Sequence, residues 1–369
     1  MPNANPLFTP LVESLPSTVP FVGPETIERR RHRIFRARVG ANESAFGISR
    51  NARDAMANAI AKISRYSDPE GYDLKTAIAN RHKISLEEVC LGAGIDELLG
   101  LVTRITVKTG TPVVTSLGAY PTFNYHVHGY GGTLHTVPYH DDHIDLDAIA
   151  KAAHATKARL VYLANPDNPM GTWHSSEKVE NFIGALPKNC LLILDEAYIE
   201  FAPKNAMVTM NPAESKVVHM RTFSKAHGMA GARVGYAVAA KNIIQSINKV
   251  RNHFGMNLVS VAGALASFND KNFINSVIRS VEKGRQDYYR LASQMGFSSL
   301  PSATNFVAID LQNGDTARAM LTALEDRDVF VRMPAVAPLD RCIRVTVGTT
   351  EERQLFSSAF ADAFDSLHN

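Results

Sequence analysis

The chain has 369 residues, of which 45% are hydrophobic and 20% charged, and its formal net charge is +3. This composition is typical of a globular protein, and the length predicts two domains. The mild charge gives no support for nucleic acid or a membrane surface as a partner, and no apolar run approaches a transmembrane span. The three cysteines (Cys90, Cys190 and Cys342) lie far apart, so we expect free thiols, no metal site and a reducing cytoplasm.

Residues 1–40 are rich in proline and then basic, and we expect them to form an arm across the surface. The basic run at 28–33 is most simply a solvated helix face. Nucleic-acid binding is disfavoured because no aromatic residues interleave with the basic ones. The first twenty residues also lack the charged-then-apolar order of a signal peptide.

Helical and strand patterns alternate from about residue 50. Helical spacing covers residues 53–63, 73–83, 96–107, 145–153 and 175–186. Short apolar runs predict strands at 88–91, 112–115, 133–138, 159–164, 190–194, 217–220 and 235–239. This alternation predicts an α/β fold with a mostly parallel sheet covered on both faces.

The pattern changes after residue 250. Longer helical stretches run to residue 295, and strands at 305–310, 329–332 and 342–347 then mix with helices. We therefore expect an arm over residues 1–40, a large domain over 41–255 and a smaller α+β domain over 256–369.

Four motifs follow predicted strands, where ligands gather in α/β sheets. The first is the turn from Gly92 to Glu97, whose glycines allow backbone N–H groups to approach an anion at a helix start. Glu97 stands where a dinucleotide fingerprint needs glycine or alanine, so a nicotinamide cofactor is disfavoured. A plain strand-to-helix turn is the alternative.

The second and third motifs supply an amide and an acid. The loop at 165–171 contains two prolines and a glycine that would fix the Asn168 amide, which can donate to a phenolate oxygen. Asp195 ends an apolar strand, where a buried carboxylate needs a cation such as a protonated pyridine nitrogen. The alternatives are a structural turn for the loop, and a helix cap or metal ligand for the acid; no histidine has ligand spacing with the acid.

The fourth motif is the stretch at 221–225, which ends in Ser224-Lys225 and is followed by Arg233. A lysine amine attacks carbonyls when it is unprotonated, and Ser224 and Arg233 would hold a phosphate beside it. A Ser-Lys pair alone is common. The order of anion turn, amide loop, strand-end acid, lysine and arginine is what predicts a Schiff base with pyridoxal 5′-phosphate (PLP).

From about Asn42 to its C terminus the chain resembles fold-type I PLP-dependent aminotransferases, most closely the histidinol-phosphate aminotransferase group. The matching motifs are Arg65-Tyr66, Gly94-Ile95-Asp96-Glu97, Pro121-Thr122-Phe123, the loop at 165–171, Asp195-Glu196-Ala197-Tyr198, Ser224-Lys225 and the stretch at 344–349. Together they are specific for the fold and the cofactor, and much less specific for the substrate.

The resemblance implies a role for each matching residue. Lys225 would form the Schiff base and then move a proton, and Asp195 would pair with the pyridine nitrogen. Asn168 and Tyr198 would bind the ring oxygen, and Phe123 would stack on the ring. The phosphate would be held by Thr222, Ser224, Arg233 and the N–H groups of Ile95 and Asp96, with Tyr66 reaching in from the partner of a homodimer.

On the substrate side, the resemblance implies that Arg344 binds a carboxylate or a phosphate, with Arg332 as a second candidate for the same anion. Asn42 and Phe21 are also expected at the substrate. The group often has a tyrosine where the arm has Phe21. Three further departures are Gly40, Met170 and His227, and they would alter the substrate pocket if they line it.

We therefore predict an aminotransferase that moves an amino group from an amino acid or histidinol phosphate to a 2-oxo acid by a ping-pong mechanism. The alternative is a PLP-dependent decarboxylase or lyase acting on an amino acid phosphate such as threonine phosphate. The choice between them depends on which substrate bond stands perpendicular to the ring. A nonenzymatic regulator module is disfavoured because residues 1–40 are too short and proline-rich for a DNA-binding domain.

Overall fold

The computed structural model describes residues 7–16, 22–212 and 216–368. Their helices are α1 (Pro10–Ser14), α2 (Pro24–Arg31), α3 (Arg50–Ile60), α4 (Tyr72–His82), α5 (Ile95–Thr106), α6 (Pro121–Gly129), α7 (Leu146–Thr156), α8 (Ser176–Ala185), α9 (Lys241–Asn248), α10 (Leu258–Asn269), α11 (Lys271–Gln294), α12 (Gly314–Asp326) and α13 (Thr350–His368). Their strands are β1 (Ala37–Arg38), β2 (Val89–Gly92), β3 (Pro112–Ser116), β4 (Thr133–Val137), β5 (Leu160–Ala164), β6 (Leu191–Asp195), β7 (Val217–Thr222), β8 (Gly235–Val238), β9 (Ser298–Ser299), β10 (Phe306–Asp310), β11 (Val329–Phe330) and β12 (Cys342–Thr346). None of these helices has the length and apolar character needed to cross a membrane.

A seven-stranded sheet in the order β2-β8-β7-β6-β5-β3-β4 forms the centre of the fold. The pairs from β7 through β6, β5 and β3 to β4 are parallel, whereas β8 runs antiparallel to both β2 and β7. The predicted α/β fold with a mostly parallel sheet is therefore confirmed, and the reversed direction of β8 is a feature of this sheet that the apolar pattern did not indicate.

The central strands are buried on both faces because helices cover each side. Along β5, Leu160, Tyr162 and Ala164 face a core that includes residues of α5, α6 and α9. The alternate residues Val161 and Leu163 face α7 and α8. This period of two on a strand that is apolar throughout is typical of a doubly covered parallel sheet.

The C-terminal part of the chain builds a three-stranded antiparallel sheet, β12-β10-β9, on α11, α12 and α13. The strand β1 pairs in parallel with β11, so residues 37–38 join this part of the molecule. In the basic run, Arg29 and Arg30 are exposed on α2, and Arg31 lies 3.0 Å from Asp328. The edge strand β12 of this second sheet lies near the carboxyl ends of the parallel strands.

The domain boundaries at residues 40 and 255 stay predictions. The helix α10 follows the second boundary, yet Ala264 and Phe268 of this helix pack in one cluster with Leu74 and Ile78 of α4.

Candidate active site

A cleft of about 670 Å³ lies at the carboxyl ends of the parallel strands. Most of the predicted site residues line it: Asn42, Ile95, Asp96, Asn168, Asp195, Tyr198, Thr222, Ser224, Lys225, Arg233, Arg332 and Arg344. Several fold elements supply them, among them β6, β7, the start of α5 and β12. Residues that are far apart in sequence therefore converge on one space of the size expected for a small-molecule site.

The acid at the floor of this cleft is Asp195, the last residue of β6, which is 5% exposed. Its Oδ2 accepts a hydrogen bond of 2.7 Å from the Tyr162 hydroxyl, and its Oδ1 accepts one of 3.0 Å from the Ala197 N–H. Burial raises the pKa of Asp195 to about 6, against the opposing effect of these bonds. No described residue forms a salt bridge with Asp195, so the cation that would complete it has to come from a ligand.

An anion cradle lies at the start of α5. The Arg233 Nη1 donates to the Ser224 hydroxyl at 3.3 Å, and the Thr222 hydroxyl donates to the same oxygen at 3.0 Å. Gly94 caps α5 with φ +83°, and a Cβ there would lie 2.3 Å from the Arg233 Nη2. Glycine therefore allows the guanidinium to approach the helix N-terminus, where backbone N–H groups favour an anion.

Lys225 lies in the same cleft, one residue beyond Ser224. Its Nζ donates to the backbone oxygen of Asn42 at 2.9 Å and lies 5.4 Å from the centroid of the Tyr198 ring. A primary amine, an unpaired carboxylate and an anion cradle thus share one space.

Two guanidiniums line the wall on the side of the C-terminal sheet. Arg344 donates to the Asn168 Oδ1 and, at 3.3 Å, to the Gly40 oxygen, while its buried Nε has no partner. Arg332 donates to the Val22 oxygen at 2.6 Å. Burial lowers the pKa of both groups, and neither forms a salt bridge with a described residue. Such a pair favours binding of an external carboxylate or phosphate.

Residues 38–359 match the model of the family described as aminotransferase class I and II. The chain belongs to this family. A histidinol-phosphate aminotransferase of Anaeromyxobacter sp. is 34% identical over 353 residues, covering 95% of this chain and 96% of that protein. Histidinol-phosphate aminotransferase 2 of Carboxydothermus hydrogenoformans is 31% identical over 350 residues, covering 94% of this chain and 96% of that protein.

A crystal structure of histidinol-phosphate aminotransferase from Sinorhizobium meliloti in complex with PLP superposes with a TM-score of 0.95. That protein is 46% identical, and the match covers 99% of each chain. The predictions of fold type I, of PLP as cofactor and of amino transfer are therefore confirmed. The relatives do not favour the alternative of a decarboxylase or lyase.

The cleft of this aminotransferase fits PLP on its own geometry. The cofactor has a pyridine nitrogen, a phosphate and an aldehyde. Asp195 lacks a cation, the Gly94–Ser224–Arg233 cradle is suited to a phosphate, and the Lys225 amine lies in the same cleft. We expect these residues to hold the three functional groups.

One predicted contact is not supported by the geometry of the cleft. Phe123 is fully buried, lies outside the cleft and stacks on the core side chain of Tyr162 at 4.8 Å between ring centroids. The aromatic residue of this segment that lines the cleft is Tyr120, whose hydroxyl donates to the Asp96 Oδ1 at 2.9 Å. The helix α6 begins at Pro121, so Phe123 projects from its first turn into the core, whereas Tyr120 precedes the helix and remains at the cleft.

The two remaining predicted contacts are those of Tyr66 and Phe21. Tyr66 is 83% exposed, lies outside the cleft and contacts the Phe254 ring at 4.9 Å between centroids. Its predicted reach into a partner's site stays a prediction. Phe21 lies outside the described residues.

The departures from the histidinol-phosphate group mostly fall outside the cleft. Met170 is fully buried among Leu300 and Leu339, and His227 is bonded to Ser267 at 2.8 Å. Neither lines the cleft, so the expectation that they change the substrate pocket is not supported. Gly40 lies beside Arg344, to which it offers only its backbone oxygen, a group that any residue at this position would supply.

Sequence reasoning missed two tyrosines that line the cleft, Tyr120 and Tyr162. Tyr162 stands inside an apolar strand, and a buried phenol needs a hydrogen-bond partner. That partner is Asp195 on the neighbouring strand β6, two residues beyond Ile193, which is the residue paired with Tyr162. The lone hydroxyl in β5 was therefore a usable signal.

Proposed function

We propose that this aminotransferase takes its amino group from a donor that carries an anionic group, either a phosphate or a carboxylate, with histidinol phosphate as the first candidate, and passes it to a 2-oxo acid. The observation that carries the proposal is the pair Arg332 and Arg344, which line the cleft without a carboxylate partner among the described residues. A phosphate or a carboxylate would complete the hydrogen bonds that the Arg344 Nε lacks. The names of the relatives support the phosphate.

The bound cofactor would supply an electron sink next to the substrate α-carbon. Asp195 would keep a proton on the pyridine nitrogen, because the carboxylate is stabilised by that cation in a site where burial otherwise raises its pKa. The Lys225 Nζ would act first as general base, taking the proton from the substrate α-carbon. It would then act as general acid and give this proton to the aldehyde carbon of the cofactor.

The remaining residues would orient and enclose the reacting groups. We propose that Tyr120 covers the ring, that Tyr198 and Asn168 bind the ring oxygen, and that the Arg233–Ser224 cradle fixes the phosphate. A fixed ring leaves the substrate as the only mobile partner, which lowers the entropic cost of the reaction.

We further propose that the active unit is a homodimer in which Tyr66 enters the neighbouring cleft. The exposed ring pair of Tyr66 and Phe254 supports this, because exposed aromatic residues are enriched at interfaces. Two inactive variants, Tyr66→Ala and Lys225→Ala, should regain activity when their subunits are exchanged, since each hybrid dimer has one intact site. Activity that never returns, in dimers shown to exchange, would contradict the shared site.

The buried free cysteines support a reducing compartment such as the cytoplasm. Fractionation of the cells that produce the protein would test this placement. Recovery outside the cytoplasm would contradict it.

The substrate proposal is tested by half-reactions. Single-turnover absorbance changes of the PLP-bound enzyme would be recorded with histidinol phosphate, histidinol, L-phenylalanine and L-glutamate. We expect histidinol phosphate to react fastest and its dephosphorylated form at least tenfold more slowly, because one charge-assisted contact is lost. Equal rates for the two would remove the phosphate from the proposal, and release of carbon dioxide without an oxo acid would favour the lyase.

A further inference from the structure

We propose that Asn42 and Thr346 are a positioning pair that turns the Tyr198 hydroxyl proton into the cleft. The proposal rests on the proposed function, because it assigns Tyr198 to the ring oxygen of bound PLP. It replaces the expectation that Asn42 is a substrate ligand.

Every polar atom of Asn42 has a partner within the chain. Its Nδ2 donates to the Tyr198 hydroxyl at 2.9 Å, and its Oδ1 accepts from the Thr346 hydroxyl at 3.1 Å. Its backbone N–H donates to the same threonine at 3.0 Å, and its backbone oxygen accepts from Lys225 at 2.9 Å and Asn305 at 3.1 Å. The residue is 2% exposed and has φ +56°. A buried side chain whose amide nitrogen and oxygen are both bonded within the chain is suited to a structural task.

The direction of the bond to Tyr198 is the important feature. An amide NH2 can only donate, so the Tyr198 oxygen is the acceptor of this hydrogen bond. The phenolic hydrogen of Tyr198 is therefore not used in this bond and is available to donate to a group in the cleft, which Tyr198 lines. Asn42 therefore makes Tyr198 a donor toward the cleft.

Thr346 determines which end of the amide faces Tyr198. The threonine oxygen accepts the Asn42 N–H and thus turns its own hydrogen toward the Asn42 Oδ1. With the amide oxygen held there, the NH2 group faces the tyrosine. All three side chains are buried, at 2% exposed for Asn42, 3% for Thr346 and 4% for Tyr198, so water cannot readily replace a lost partner.

The pair also connects the strand β12 with the segment that carries Asn42. Thr346 lies two residues after Arg344 on β12, so both side chains project from the same face. Its carbonyl accepts from the Tyr288 hydroxyl at 3.0 Å and its N–H donates to the Val39 oxygen at 2.7 Å. The strand that carries the anion-binding arginine thereby also positions the segment on which Lys225 rests.

The first test is the pH titration of the absorbance of bound PLP in Thr346→Val. A proton donated by Tyr198 stabilises the charged ring oxygen and lowers the pH midpoint of the absorbance change. We expect T346V to raise the midpoint by about half to one pH unit, on the scale of one neutral hydrogen bond. Thr346→Ser retains the hydroxyl and should return the midpoint to the wild-type value.

The matched control is Thr103→Val. Thr103 is fully buried, and its hydroxyl donates only to the Leu99 oxygen of its own helix at 2.8 Å. This variant loses a buried hydroxyl without touching the cleft, so its midpoint should stay at the wild-type value. The unfolding free energies of cofactor-free T346V and T103V would establish that both are folded.

The second test is Asn42→Asp, which puts an acceptor in place of the donor. The Tyr198 proton would then turn toward the carboxylate, and the midpoint should rise at least as far as in T346V. As a positioning residue, Asn42 should affect kcat and leave the KM for the amino donor within about twofold. A higher KM with an unchanged midpoint would restore Asn42 to substrate binding and overturn the proposal.

The two levels of failure can be told apart. A wild-type protein that binds no PLP would remove the proposed function. A wild-type protein whose bound PLP titrates normally, together with unchanged midpoints in T346V and N42D, would remove only the positioning pair.

Discussion

Asp195 and Glu196 are neighbours at the end of one strand, yet only Glu196 has cationic partners among the described residues. Glu196 is 1% exposed and is paired with the Arg221 Nε at 3.2 Å and the His219 Nδ1 at 3.3 Å. Burial acts to raise the pKa of Glu196, but these two groups outweigh it and hold the pKa at about 2. Asp195 lacks such a partner, and its pKa rises to about 6.

The arginines show the same contrast. The Arg221 guanidinium is paired with Glu196. Burial acts to lower the pKa of Arg221, but the carboxylates around it outweigh burial and raise the pKa. The Arg344 guanidinium has an unpartnered Nε, and burial lowers its pKa. In these two comparisons, the charges completed inside the chain lie outside the cleft, whereas the charges left incomplete line it.

The largest effect is expected where the internal pair is broken. Glu196→Gln removes the carboxylate that is hydrogen-bonded to Arg221, which should lower the free energy of unfolding by about 3–5 kcal/mol in chemical denaturation. The control is Glu87→Gln, which removes the exposed Lys241–Glu87 pair of 2.6 Å and should leave the free energy of unfolding close to the wild-type value, because solvent screens this pair. Similar losses in both variants would erase the contrast between the two kinds of pair.

Asp195→Asn should raise the free energy of unfolding of the cofactor-free protein, whereas Glu196→Gln lowers it. The pKa of Asp195 rises from its ordinary 3.8 to about 6, so its contribution to stability is present below pH 3.8 and lost as pH rises through about 6. At pH 8 the variant should gain up to about 3 kcal/mol over wild type, and the gain should vanish near pH 4.

Denaturation of both cofactor-free proteins between pH 4 and 8 measures this difference, and PLP dissociation shows the accompanying loss of binding. A variant that is less stable than wild type at pH 8 would mean that Asp195 serves the fold, as Glu196 does.

The anion side of the comparison is tested with Arg344→Met. Removal of an unpaired buried charge should leave the cofactor-free protein as stable as wild type, while kcat/KM for an anionic donor falls roughly 10- to 150-fold. Arg318→Met, at an exposed surface pair, serves as the control and should leave kcat/KM unchanged. Lost stability with unchanged kcat/KM would place Arg344 with the structural charges.

The smallest effect separates the two aromatic residues. Tyr120→Phe keeps the ring and loses the bond to Asp96, so PLP should dissociate about fivefold more readily, corresponding to about 1 kcal/mol. Phe123→Leu should lower the free energy of unfolding by about 1 kcal/mol and leave PLP affinity unchanged. The reverse pattern would restore Phe123 as the residue on the ring.

Much of the fold followed from local pattern. The strand runs at 159–164 and 190–194 are apolar and flanked by helical spacing, so β5 and β6 were found almost to the residue. The direction of β8 and the pairing of β1 with β11 depend on contacts between distant segments, which no local period reports.

The site was predictable where a motif fixes the backbone. Lys225, Asp195 and Arg233 line the cleft because each follows a strand end or a glycine turn. Phe123 was expected at the cleft and lies in the core, because the side chain that reaches the cleft depends on where α6 begins. Thr346 was missed because its hydroxyl acts on a residue 304 positions away.

The central claim is that the incomplete charges of this cleft are completed by PLP held on Lys225. Borohydride reduction of the PLP-bound enzyme, followed by peptide mass mapping, tests it most directly, because reduction fixes the cofactor to the amine that holds it. The predicted result is one pyridoxyl label on Lys225, which is absent in Lys225→Ala. A label on another lysine, or no label on a protein that retains PLP, would contradict the account.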